Sequence, residues 1–352
     1  MRGPGGTPPS AGWSAPARSD VEQVRPGLWS IAVPWPQSSL RYTLAYLLSC
    51  PGGVALIDTG WPTETGWTAL ADGIRQTGHE LTEIRHVLVT HAHPDHLGMA
   101  SLVREASGAQ VGMHPADAAT LHRPDGAAWR PRLAGWLRSR GAPADQAAEI
   151  LDLIAGNVER HALLARPDTE IEHGSRPLGT GTGLRAVWTP GHTPGHLCFY
   201  DEERNVLLTG DHVLPRISPH IGFPPGTEGN PLGDYLASLR ALARYSPAEV
   251  LPAHEYRFDD LAGRIDALLR HHQRRLAEIE HVVACDPGLS TWAVAAALTW
   301  SRGWENTRGG ARYSAVSETY AHLVHLLARQ RVRQGGPGPD SWRPGPRCSA
   351  AD

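Results

Sequence analysis

The feature that most constrains this chain is the run Thr90-His91-Ala92-His93-Pro94-Asp95-His96. It follows directly on IRHVLVT, an apolar, β-branched stretch of strand length over residues 84–90. Side chains on a loop leaving a buried strand can splay around one point. Neutral imidazole nitrogens and an anionic carboxylate oxygen are the donor set of Zn²⁺ or another first-row ion. A fold for this chain must therefore end a buried strand where there is room for a cation.

Further segments share that placement. PGHTPGH puts His192 in a Gly- and Pro-rich turn after the strand-like LRAVWTP (184–190). Asp211 ends NVLLTGD (205–211), His254 ends EVLPAH (249–254), and Asp58 ends VALIDTG (54–60). One such residue alone is ordinarily a cap, turn or packing residue; the series, all at strand ends, is read together. Helical segments are predicted over 63–77 and 97–107, with a short strand at AQVGMH (109–114). Strands alternating with helices argue an α/β layered body.

The series HAHPDH, PGHTPGH, TGD and PAH, preceded by Asp58, resembles the metallo-β-lactamase superfamily over about residues 25–260. The resemblance implies an αβ/βα sandwich with a dinuclear metal site, two Zn²⁺ with Fe or Mn as alternatives. It implies that His91, His93 and His192 hold one ion and that Asp95, His96 and His254 hold the other, with Asp211 bridging. Asp58 would orient a ligand histidine, and His196 would be structural. A metal-bridging hydroxide would be the nucleophile, with Asp95 and Asp211 as the catalytic carboxylates and Asp95 passing a proton to the leaving group. The chain has no GxSxG serine elbow to compete with that reading. The last motif departs from the family, reading Pro-Ala-His-Glu where many relatives carry glycines. The ligand is kept; the pocket near Glu255 and Tyr256 is where a difference is expected.

Candidate substrate contacts are His212, Arg216 and His220, on the segment after Asp211, with His114 ending its strand and Tyr256 just past His254. Arg216 suits an anionic group; Tyr256 suits an oxyanion.

Composition bears on the remaining organisation. With 41% hydrophobic residues among 352, the chain has a substantial core, and no stretch of about 20 apolar residues suggests a membrane span. Four cysteines without a CxxC pair and no secretory apolar run at the start predict a reduced, cytoplasmic protein. Residues 1–20 and 334–352, rich in Pro and Gly, read as disordered tails. Between them, 21–260 reads as the metallo-β-lactamase domain, with a helical insertion at 115–166. The Trp and Leu content of that insertion suits a lid over an apolar acyl group, a packing helix pair or a dimer contact. Residues 261–333 read as a small helical domain. It resembles the winged-helix-like appendage of the branch that includes β-lactamase-like protein 2.

The net charge is −3, and every basic residue is Arg. The body is acidic, which argues against nucleic acid, while the C-terminal helices are mildly basic. Together these readings predict a thioesterase-like metal-dependent hydrolase of a thioester, ester or lactone, acting on a small-molecule or carrier- or CoA-linked acyl group. A nuclease or phosphodiesterase acting on single-stranded RNA is the alternative. A homodimer is among the expectations; a membrane partner is not.

Overall fold

Alternation along single strands sets the layers. In the strand Arg41–Cys50, Ala45 and Leu47 enter one core while Leu44, Tyr46 and Leu48 enter another, because successive side chains leave a strand on opposite faces. The sheet is therefore buried on both sides. Each aliphatic side chain so removed from water contributes about 1.5–3 kcal/mol.

The computed structural model describes residues 21–35, 38–122, 129–161, 165–223, 225–335 and 340–346. These fall into two compact units. The first comprises residues within 1–123, 160–219 and 238–265, the second those within 124–159, 220–237 and 266–352.

In the first unit, seven strands among the described residues lie in sequence order: β1 Val21–Arg25, β2 Leu28–Trp35, β3 Arg41–Cys50, β4 Gly53–Ile57, β5 Ile84–Leu88, β6 Gln110–Met113 and β7 Thr169–Glu170. β1 to β4 pair antiparallel, and β4 to β7 pair parallel. The parallel steps are bridged by α1 Glu64–Gln76, the short α2 Pro94–Leu97, α3 Ala100–Ser107 and the short α4 Pro115–Ala118. Leu70 and Ile74 of α1 and Val103 of α3 join the core on one face of this sheet. Its other face packs on a second sheet made of β8 Leu184–Trp188, β9 Leu197–Asp201, β10 Val206–Gly210 and β11 Glu249–Pro252, in the order β11-β10-β9-β8. Leu184, Ala186, Leu197, Phe199, Val206, Leu208 and Leu251 fill that inter-sheet core. This is the expected α/β sandwich.

The second unit is helical. It contains α5 Trp129–Ser139 and α6 Ala144–His161 up to residue 159, the start of α7 Pro231–Leu242, α8 Leu261–Cys285 from residue 266, α9 Thr291–Ala297 and α10 Gly309–Ala328. A two-stranded antiparallel ribbon follows, β12 Val332–Gln334 with β13 Trp342–Pro344. Residues 309–312 form the first turn of α10.

Three expectations about organisation are corrected. The segment 115–166 is not one insertion of the sandwich. Its ends stay with the first unit, while Leu133, Trp136, Leu137, Ile150 and Leu151 of α5 and α6 are buried with Trp292, Ala295 and Val316 in the second unit's core. Those apolar side chains are thus core, not an acyl-facing lid. The domain boundary also falls at 265, inside α8, and not at 260. Finally, 334–352 is not wholly a tail. Trp342 is fully buried, its indole N–H donates to Thr291 Oγ1 at 2.9 Å, and Asp340 pairs with Arg140 at 3.1 Å. Average composition hides a single aromatic anchor of this kind. Residues 1–20 and 347–352 lie outside the described residues.

Candidate metal centre

Every element that contributes to the site ends on one rim of the sandwich. After β5 the chain turns through His91 and Ala92 to His93, whose extended backbone precedes Pro94 at the first position of α2, where its fixed φ suits a helix start. That turn places Asp95 and His96 behind His93. His192 sits in the turn between β8 and β9, Asp211 just past β10, and His254 just past β11.

Their donor atoms form groups that could hold a metal ion, each with all atoms within 4.8 Å of one another: His91, His93 and His192; His91, His96 and Asp211; Asp95, His96 and His254. His93 Nδ1 lies 2.9 Å from His91 Nε2 and 3.1 Å from His192 Nε2. His254 Nε2 lies 3.3 Å from Asp95 Oδ2 and 3.2 Å from Asp211 Oδ1, and His96 Nε2 lies 3.4 Å from Asp95 Oδ2. Tetrahedral zinc, with Zn–N of about 2.0–2.1 Å, holds its donors about 3.3 Å apart, so both groups are close to a coordination shell. Asp211 faces both: Oδ2 is 3.7 Å from His192 Nε2, while Oδ1 looks toward His96 and His254.

Tautomers follow from the partners. His96 Nδ1 meets Asp58 Oδ2 at 2.7 Å, and His254 Nδ1 meets the carbonyl of Tyr42 at 2.9 Å. Both partners only accept, so both Nδ1 atoms carry the proton and Nε2 is presented to the site. Those Nε2 atoms and Asp211 Oδ1 are buried and make no hydrogen bond. Buried polar atoms are rarely left so, and a cation among them would satisfy all three. The residues therefore fit the metal that the donor chemistry implies.

The electrostatics agree. Burial pushes His254 down, but the carboxylates of Asp211 and Asp95 outweigh it and hold its pKa up to about 10. Burial likewise opposes, and Asp95, Asp58 and Asp211 overcome, so that His96 is held well above the ordinary histidine value. The field that retains those protons equally attracts divalent ions, whose binding displaces protons from such ligands. His91, beside other imidazoles, is driven the other way: burial, then His96, His93 and His192, keep it well below its ordinary value and so neutral.

Asp58 lies where the sequence predicted, holding His96 and also accepting from Thr90 N–H and Oγ1–H, both at 2.8 Å. Its φ of 59° is left-handed, a conformation Asp tolerates better than most residues. His196 lies in the core beneath the site, between Thr189 Oγ1 at 2.9 Å and the backbone N–H of Asp211 at 3.2 Å. Gly210, with φ 50°, lies against it. A Cβ there would sit 2.8 Å from His196 Nε2.

The expected substrate contacts fare differently. His212 is fully buried, packed 5.6 Å from His196, and burial, then His192, holds its pKa down to about 3; no face of it is open to a substrate. Arg216 is held by Glu255, with Nε and Nη2 each 2.9 Å from Oε1, so its charge is already matched. His114 accepts from Ala116 N–H at 3.2 Å, capping α4, and stacks on Trp188. His220 belongs to the second unit, facing Glu318 at 3.7 Å. Tyr256 is half-buried after His254.

Sequence reasoning missed Asp117. It accepts from Ala92 N–H at 2.8 Å, Thr193 Oγ1–H at 2.8 Å and Gly195 N–H at 2.6 Å. Burial lifts its pKa to about 6 against those three hydrogen bonds. In the local pattern, His-Pro-Ala-Asp, it reads only as a first-turn helix residue, and no spacing connects it to the histidines.

A two-sheet sandwich carrying two histidine–carboxylate clusters around a shared aspartate defines a metal-binding hydrolase of the metallo-β-lactamase type. The comparisons agree. The profile described as the metallo-beta-lactamase superfamily matches residues 39–254, and the chain belongs to that superfamily. It is 28% identical over 313 residues to lactamase-like protein adaB of Aspergillus niger, covering 89% of this chain and 76% of that one. It is 27% identical to lactamase-like protein vrtG of Penicillium aethiopicum, covering 76% and 69%. Among solved structures, a metallo-beta-lactamase family protein from Thermus thermophilus aligns with TM-score 0.76 and 29% identity, over 92% of this chain and all (100%) of that one. A beta-lactamase domain protein from Burkholderia ambifaria aligns with TM-score 0.78 and 25% identity, covering 94% and 96%. Among the described residues, no helix is long and apolar enough to cross a membrane.

Proposed function

We propose that the chain hydrolyses a carboxyl derivative, a thioester, ester or lactone, with two zinc ions held by the two clusters. The observation that carries the reading is Asp211, whose two oxygens face the two donor groups separately. His91, His93 and His192 would hold one ion, and Asp95, His96 and His254 the other. The nitrogen-rich donor set favours zinc. When bound, the ions supply an activated water and a Lewis acid for the carbonyl oxygen.

The chain's own residues do the rest. Asp58 and the Tyr42 carbonyl lock the rings of His96 and His254. Asp95, whose Oδ2 stands among the donors beside His96 and His254, uses its other oxygen, Oδ1, to take the proton lost by the attacking water and return it to the leaving sulfur or oxygen. A C–O bond forms, the C–S or C–O bond to the leaving group breaks, and no net proton is lost at Asp95. The lactamase-like names of the relatives point to carbonyl chemistry. The acidity of the body, on a chain of net charge −3, disfavours a polyanion such as RNA. The free thiols of Cys50, Cys198 and Cys285 fit a reducing, cytoplasmic setting.

The test is zinc-loaded protein assayed against an acyl thioester and, in parallel, a phosphodiester, with Asp211→Ala and chelated protein as controls. Thioester cleavage lost in both controls is expected. Phosphodiester cleavage with the thioester intact, or thioester cleavage indifferent to chelation, would overturn the proposal.

A further inference from the structure

The first donor group is assembled from two separate pieces of chain. His91 and His93 lie on the turn after β5, and His192 on the turn between β8 and β9. Below them, Leu197 N–H donates to the Thr90 carbonyl at 2.8 Å, which fixes the strands. It does not fix the turns themselves, whose tips must agree to a fraction of an ångström for three nitrogens to share one ion.

Asp117 spans that gap. Its Oδ2 accepts from Ala92 N–H, the residue between His91 and His93. The same oxygen accepts from Thr193 Oγ1–H, the residue after His192. Oδ1 accepts from Gly195 N–H in the same turn. The side chain is fully buried, so no water competes for these oxygens. The approach is close enough to require glycine: a Cβ on residue 195 would lie 2.4 Å from Asp117 N and 2.7 Å from its Cβ. The second Gly of PGHTPGH thus has a physical reason. Among the described residues no such bridge joins the second donor group to Asp117; its two histidines are braced by Asp58 and the Tyr42 carbonyl.

We infer that Asp117 is a positioning residue that sets the gap between the two turns and so governs the affinity of the first metal site and not the second. The inference rests on the metal reading above. It touches no substrate and no ion; it acts through Ala92, Thr193 and Gly195. Asn at 117 would keep one acceptor oxygen but turn an amide N–H toward a donor, so even this isosteric change breaks the clamp.

The experiment measures zinc affinity by competition with a chromophoric chelator in two backgrounds. His254→Ala retains the first donor group and His192→Ala retains the second. Asp117→Asn is expected to weaken zinc about 10–100-fold in the His254→Ala background and to leave the His192→Ala background unchanged. Equal weakening in both would mean general loosening and would overturn the inference, as would no weakening in the first. Should Asp117→Asn fail to fold, Thr193→Val removes one of the three hydrogen bonds. A smaller loss confined to the same background is expected, and unchanged affinity would overturn the clamp. A parent chain that takes up zinc while the variants match it refutes only the clamp; a parent chain that takes up none refutes the metal reading and the clamp with it.

Discussion

Lowering the pH should destabilise the protein through one buried histidine in its helical unit. The Glu318 carbonyl accepts from His322 Nδ1–H at 2.8 Å, so His322 Nε2 is a bare acceptor for His272 Nδ1–H at 3.1 Å. That leaves His272 Nε2 unprotonated, buried and without a hydrogen bond. Adding a proton there would place a charge in the interior beside two other imidazoles. Burial first, then His322 and His271, with Glu318 opposing, hold the pKa of His272 down to about 3 from 6.5. The unfolded chain therefore binds a proton below pH 6.5 that the folded chain refuses. Stability is full above 6.5 and is lost as pH falls toward 3. Between pH 7.5 and 5.5 the difference is about 1.4 kcal/mol, and over the whole window about 5 kcal/mol. The variant His272→Asn keeps a donor for His322 and cannot titrate. Urea unfolding of both zinc-loaded proteins at the two pH values gives a double difference in which metal release and helix propensity cancel. The parent should lose about 1.4 kcal/mol more than the variant on acidification. A double difference within error of zero, or of opposite sign, would refute the argument that this nitrogen is bare and buried.

Other expectations follow from the site and the core. Asp58→Asn removes the carboxylate that holds His96 and should cost about 10–100-fold in zinc affinity, read by chelator competition. Gly195→Ala forces a Cβ to 2.4 Å from Asp117 N and should lower the melting temperature and weaken zinc together; an unchanged protein would show that the turn moves freely. Trp342→Ala should cost about 3–5 kcal/mol in denaturant unfolding, since the ring is fully buried; a cost near zero would restore the reading of this segment as a tail.

The layered body was legible because buried strands such as those at 84–88 and 206–210 are short apolar runs bounded by turn residues, a local signal. The residues of the donor groups were legible for the same reason. Each stands at a strand end in a dense local motif, and the structure gathers His91, His93, Asp95, His96, His192, Asp211 and His254 as that placement suggests. The substrate-contact expectations read identities without their partners. Arg216 is half-exposed but matched by Glu255, and His212 follows Asp211 in sequence yet points into the core.

What the sequence by itself determined is the donor chemistry and the alternation that buries the strands beneath it, because both are written in spacings of a few residues. Only the tertiary structure decided how distant segments meet. Asp117 and Gly195 are separated by 78 positions, and a carboxylate seeking three donors leaves no periodic trace. The helices α5 and α6 carry an amphipathic pattern that specifies a buried face but not which surface buries it. That surface proved to be α9 and α10. Local periodicity encodes which side chains leave water; which partners they find depends on long-range closure of the chain.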